Sequence, residues 1–155
     1  MAENVSTMDS KQYIVVELRN EQYGIDIKYI DNIVRMQRIT RVPKAQTYFK
    51  GVINLRGEVI PVMSLRLKFD FEEEEVTGKT RILIIKPDDS QASVGIIVDS
   101  VKEVLTLEND MIDKVTRDID DERTAYLSGV GKYGERLISI LNIAEIFTEK
   151  EAENE

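Results

Sequence analysis

The stretch from Gly51 to Phe69, GVINLRGEVIPVMSLRLKF, constrains the fold more than any other. Val52, Ile53 and Leu55 lead into Arg56-Gly57, and Val59, Ile60, Val62 and Met63 lead out. Branched apolar runs separated by so short a break predict a β-hairpin, because such side chains suit a pleated surface. The glycine takes the positive φ that other residues resist. Asn54 and Arg56 would then project from the mouth of a tight turn on stiff strands, a good place to present a charge to a partner. An ordinary surface hairpin with one solubilising arginine is the competing reading, since most loop arginines carry no function.

The pattern recurs. Gly129 to Ile143, GVGKYGERLISILNI, again runs from Gly-Val through a polar, glycine-containing turn into an apolar run. Gly51 and Gly129 lie 78 positions apart and Gly57 and Gly134 lie 77 apart, which predicts a second turn one residue shorter. Gly24-Ile25-Asp26-Ile27 with Ile30, Ile33 and Val34 matches Gly95-Ile96-Ile97-Val98 with Val101, Val104 and Leu105, at a constant offset of 71. A degenerate internal duplication follows, each half forming one β unit.

Between these landmarks the chain reads as strands. Tyr13–Leu18 (YIVVEL), Arg81–Ile85 (RILII), Val94–Val98 and Val101–Leu107 are apolar and branched. Ile27, Ile30, Ile33 and Val34 fit a helical turn passing into a strand, and Pro43 holds Val42 extended. Glu72 to Lys79 is an exposed connector, Lys86 to Ser90 a turn, and Asn109 to Glu122 irregular with Met111, Ile112 and Val115 as anchors. Asn142 caps a short helix through Phe147. Residues 1–10 form a polar N-terminus and 149–155 an acidic, frayed tail, leaving 11–148 as the folded domain. About ten short strands in two sets predict a mainly β chain. Two small barrels would share an Ile/Val/Leu core, with one or two short helices.

Composition removes most chemistry. The 155 residues contain no cysteine and no histidine, so Ser-His-Asp triads, Cys-His pairs and the usual zinc sites are excluded. No carboxylate pair stands out in an apolar setting, and no catalytic residue, cofactor or metal site is assigned. Gly129–Gly134 matches G-x-G-x-x-G, but the following residues read as a strand where a dinucleotide site needs a helix. No apolar run spans a bilayer and the N-terminus lacks signal-peptide character, which predicts a cytoplasmic protein.

The net charge of −8 is unevenly placed: residues 28–68 carry +7, residues 69–155 carry −12 and residues 1–27 carry −3. Such polarity suits docking of other proteins, unless folding interleaves the charges. The rival reading is an OB-like single-stranded nucleic-acid binder, with Tyr29, Tyr48 and Phe49 as stacking platforms in the basic segment. The sequence pI of about 4.8 opposes it.

At GVINLRGEVIPVMSL the chain resembles the CheW-type coupling proteins of bacterial chemotaxis. QYGIDI, ITRVPKAQTYFKGVINLRG, VGIIVDSVKEVL and YLSGVGKYGERLISILNI extend the likeness from Tyr13 to Phe147. The resemblance implies two SH3-like five-stranded barrels and a non-catalytic adaptor associated with membrane receptor arrays. Its partners would be the cytoplasmic tip of methyl-accepting receptors and the regulatory domain of the histidine kinase CheA, without nucleic acid or membrane insertion. Carried over, Arg56 and Gly57 fall in the Asn-Leu-Arg-Gly loop near the receptor, and Ile30 and Ile33 on apolar positions that grip a receptor helix. Asn32 stands where many members have glutamate, so an ionic contact there would become a neutral hydrogen bond or vanish. Plain core packing for Ile30 and Ile33, and turn geometry for Gly57, remain competing readings. The kinase-binding surface is unassigned.

Overall fold

The computed structural model describes residues 9–43, 45–88, 92–116, 118 and 120–147. The expected polar N-terminus, up to residue 8, and the acidic tail lie outside them. So does the end of the Lys86–Ser90 turn. Among the described residues there are eleven strands: β1 Ser10–Leu18, β2 Glu21–Asp26, β3 Ile30–Arg35, β4 Phe49–Leu55, β5 Glu58–Ser64, β6 Arg81–Ile85, β7 Val94–Val98, β8 Ser100–Glu108, β9 Ile112–Asp113, β10 Leu127–Tyr133 and β11 Arg136–Leu141. Two one-turn helices, α1 (Leu65–Lys68) and α2 (Ile143–Ile146), follow β5 and β11. Ile27–Tyr29 is a 3₁₀ turn running into β3, as the mixed spacing there predicts. The first strand already begins at Ser10, where the Asn109 amide donates to the Asp9 carbonyl at 2.7 Å.

The strands form two sheets, ordered β8-β1-β2-β11-β10-β9 and β3-β6-β7-β5-β4. The duplication is present, but the expectation that each half makes its own β unit is overturned. β3 leaves the first half to pair with β6, and its counterpart β8 leaves the second half to pair with β1. β5 lies parallel to β7, and β11 parallel to β2. Each sheet therefore joins a two-strand unit from one half to the later strands of the other. The physical reason lies in β1 and β6, which are apolar on both faces and must be covered twice.

Alternation along those strands divides the interior into three clusters. Ile14, Val16 and Leu18 of β1 meet Leu83 and Ile85 of β6 in a central core with Tyr23, Ile25, Ile96, Val98, Phe69 and both helices. Tyr13 and Val15 face the other way, onto Leu105, Leu107, Ile138 and Ile140. Ile82 and Ile84 likewise face Ile53, Ile60 and Val62. The runs YIVVEL and RILII lack an apolar/polar alternation because both of their faces are buried.

Register makes the internal symmetry quantitative. β4–β5 is bulged between Phe49 and Gly51, and β10–β11 between Leu127 and Gly129, 78 positions later. Both hairpins turn through two residues, Arg56-Gly57 and Gly134-Glu135, so the second turn is not shorter. The glycine has moved from the second turn position to the first. The helix caps keep the same offset, with Ser64 Oγ accepting from the Leu67 amide and Asn142 Oδ1 from the Glu145 amide, both at 3.2 Å.

Thr40, beyond β3, exchanges two 2.8 Å backbone hydrogen bonds with Val52 of β4, so the chain leaving one edge of this sheet returns to the opposite edge. Gly51 sits beside this bridge at φ +141°. A Cβ there would collide with the Thr40 carbonyl and lie 2.9 Å from Ile39 Cγ2. Gly51→Ala should therefore cost about 3 kcal/mol in denaturant unfolding, combining strain with lost pairing. Gly57→Ala, at φ +83° with open space around it, should cost only about 1 kcal/mol. Equal losses would show that the Thr40–Val52 closure does not constrain Gly51.

Candidate functional site

The β4–β5 turn is built from two left-handed residues, Arg56 at φ +54° and Gly57 at φ +83°. Paired positive φ values match the right-handed twist of the strands they join. Asn54 Oδ1 accepts from the Gly57 amide at 3.1 Å, so Asn54 secures its own turn, while Arg56 keeps its whole side chain free to meet a partner. Arg56 is exposed and, among the described residues, has no side-chain partner.

On β3, the four residues from Ile30 to Ile33 pass through a bulge at Asp31, and their roles diverge. Ile30 is half-buried against the central core, while Ile33 is 36% exposed. Asn32 Oδ1 accepts from the Ile33 amide at 2.8 Å, so the side chain spends its acceptor on the local backbone. β3, β7 and β5 run in the same direction, which puts Ile30 at the end of the sheet where the Arg56-Gly57 turn lies. The expected receptor-binding residues are thus brought to one sheet and partly to one end of it. Ile30 and Ile33 do not form a single exposed strip.

A second charged constellation was not foreseen from the sequence. Arg66 of α1, only 8% exposed, donates to Asp99 through Nε at 2.8 Å and Nη2 at 2.6 Å, and through Nη1 to the Glu72 carbonyl at 2.9 Å. The Arg19 amide also donates to Asp99, at 2.9 Å. Burial pushes the Asp99 carboxyl up, but the hydrogen bonds from Arg66 and Arg19 outweigh it and hold the group below the usual range. Nearby, Arg123 binds Asp121 and Glu21 and donates to the Tyr23 hydroxyl at 2.9 Å. Burial nevertheless pushes Tyr23 up to about 12. The Arg19 guanidinium stacks 3.8 Å from the centre of Phe71, between these two clusters. Partners 33 and about 100 positions apart leave no local signal, so only the fold reveals them.

Lys68, 7% exposed, lies 4.2 Å from the Tyr48 ring centre and 5.3 Å from that of Tyr126. These tyrosines are counterparts 78 positions apart, and each carbonyl accepts from the amide of a helix-capping residue, Ser64 or Asn142. Two residues expected to stack on bases therefore have structural duties: Tyr48 here, and Phe49 in the bulged ladder. The G-x-G-x-x-G match runs along β10 into a hairpin turn. Among the described residues no cluster of three acidic side chains could hold a metal ion, and no helix is long and apolar enough to cross a membrane.

The CheW-like domain model matches residues 12–151. The chain belongs to the CheW-like family. A chemotaxis protein CheW from Klebsiella aerogenes is 33% identical over 141 residues, covering 91% of this chain and 84% of that protein. One from Helicobacter pylori is 37% identical over 135 residues, covering 87% and 80%. The crystal structure of the scaffolding protein TtCheW from Thermoanaerobacter tengcongensis aligns with a TM-score of 0.79 at 30% identity, covering 90% of this chain and 94% of that one. These relatives of the CheW-like chain carry the names of chemotaxis and scaffolding proteins, and not of enzymes.

Replacing Asp99 with asparagine should cost about 2 kcal/mol, the scale of a hydrogen bond to a charged group. Because the folded-state pKa is lowered, the wild-type advantage is complete above the unfolded aspartate value of about 3.9 and disappears as pH falls through the folded one. Denaturant unfolding of both proteins between about pH 2 and 7 checks this; a pH-independent difference would assign the loss to packing instead.

Proposed function

We propose that this CheW-like chain is a non-catalytic chemotaxis scaffold, which couples methyl-accepting receptors to the histidine kinase CheA. The family match across residues 12–151 carries the proposal, supported by the likeness to a scaffolding protein over almost its whole length. In this reading residues 11–148, with Ser10 added at the start of β1, act as one CheW-like domain. The protein works in the cytoplasm at receptor arrays, and nothing in its chemistry is consumed.

Receptor recognition is assigned to Ile30, Asn32, Ile33, Arg56 and Gly57. An amphipathic receptor helix would lay its apolar stripe against the end of the five-stranded sheet that carries Ile30 and the Arg56-Gly57 turn. Ile33 supplies exposed apolar surface and Gly57 fixes the turn from which Arg56 sets the helix orientation. Asn32, with one lone pair of its Oδ1 engaged locally, offers chiefly its amide hydrogens. The kinase regulatory domain binds elsewhere, on a surface left unassigned.

The test is co-sedimentation of the purified chain with a receptor cytoplasmic fragment and with the kinase regulatory domain, separately and together. Retention by each alone is expected, with a ternary complex when all are mixed; failure to retain either partner would remove the coupling role. Arg56→Glu should weaken receptor retention about tenfold while moving the unfolding midpoint very little, because Arg56 is an exposed turn residue. Undiminished receptor binding would take Arg56 out of the interface.

A further inference from the structure

The guanidinium groups of this protein divide sharply by place. Arg19 stacks on Phe71, Arg66 holds Asp99, Arg81 donates to the Gly78 and Thr80 carbonyls, and Arg123 and Arg136 each grip carboxylates. Among the described residues, the side chains of Arg35, Arg38, Arg41 and Arg56 are exposed and make no hydrogen bond, ion pair or ring contact. Acid is not scarce, since 29 acidic residues outnumber 21 basic ones. It is absent from this stretch of chain: between Asp31 and Glu58 the sequence contains neither aspartate nor glutamate, and Glu73, which reaches the stretch from outside it, is taken by Lys50.

Arg56 belongs to the site already proposed; the other three make a separate row. Where β3 ends, Val34, Met36 and Ile39 turn inward onto the small core of the five-stranded sheet. Arg35, Arg38 and Arg41 are left facing solvent. Three residues of extended chain span at most about 10 Å, which bounds the spacing between successive Cα atoms of the row. Beyond the last of them an open recess is lined by Val42, Pro43 and Phe49 on one hand and by Arg41, Thr47 and Lys50 on the other, with Val42 43% exposed.

We infer that Arg35, Arg38 and Arg41 form a docking strip for an acidic face of a partner protein's helix. Guanidinium forks fit carboxylates through two parallel hydrogen bonds. On a helix, carboxylates seven residues apart stand about 10.5 Å apart, a separation that guanidiniums on long flexible stems can follow from Cα atoms no more than about 10 Å apart. The recess at its end, part apolar and part polar, suits an amphipathic side chain of the same partner. A phosphate polymer or membrane surface fits less well, since the chain's overall charge of −8 repels an extended polyanion. The inference deepens the scaffold reading, because the strip begins at the far end of β3 from Ile30, and a helix lying along β3 past Asn32 and Ile33 would reach both. It names the chemistry that would orient a receptor helix there.

The test uses the full chain, a variant carrying Arg35→Glu, Arg38→Glu and Arg41→Glu, and a charge-matched control carrying Lys11→Glu, Lys114→Glu and Lys132→Glu. The control positions are exposed and lie on or beside strands of the other, six-stranded sheet. Binding rates are measured across a salt series against four probes. These are a receptor cytoplasmic fragment, a synthetic heptad helix with one glutamate per heptad, its lysine counterpart, and phosphatidylglycerol vesicles. The strip variant should associate with the receptor fragment and the glutamate helix about tenfold more slowly, with a flattened salt dependence, while the control stays within about twofold of wild type. Equal slowing in both variants, no slowing in the strip variant, or strip-dependent binding to vesicles alone would overturn the inference. Wild-type binding to the glutamate helix but not to the receptor fragment would sink the receptor role and leave the strip standing. Receptor binding indifferent to the strip would do the reverse. Unfolding midpoints of both variants confirm that each remains folded.

Discussion

The pairing of β3 onto β6 and of β8 onto β1 obliges the two halves of this chain to share an interior. β1 and β6 supply side chains to two clusters at once, and neither could be covered on both faces by its own half alone. Burial of apolar area thus explains the topology as well as the stability. The ion pair between Arg66 and Asp99 ties the same junction on the polar side, joining the helix that ends the first half to the turn between β7 and β8.

Much of the fold was legible because it rests on local chemistry. The runs YIVVEL and RILII, the left-handed glycine after Arg56, the capping Asn142 and the 71- and 78-residue repeats all announce themselves in neighbouring residues. The exchange of β3 and β8 does not. Strand pairing between halves is chosen by which faces must be covered, and that is a property of the whole set. A repeat in sequence is therefore not, in this fold, a repeat of strand pairing in space. The turn of Gly134-Glu135 misled for a smaller reason, since a glycine can occupy either position of a two-residue turn and its number alone does not measure the length.

The site was legible in part. The Arg56-Gly57 turn followed from the hairpin pattern, but Asn54 looked like a presenting residue until its side chain was found to cap the turn. Resemblance supplied Ile30 and Ile33 together, whereas the bulge at Asp31 gives them unequal exposure. The basic character of residues 28–68 was visible as a sum of charges. Which arginines lack an internal carboxylate became visible only once Arg66, Arg123 and Arg136 had found theirs.

Because each sheet is woven from both ends of the chain, neither half can melt while the other stays whole. A protein touching either sheet grips strands from both repeats. Strain introduced at one contact would then fall on the common interior, so the two repeats form one coupled body and not two beads on a string.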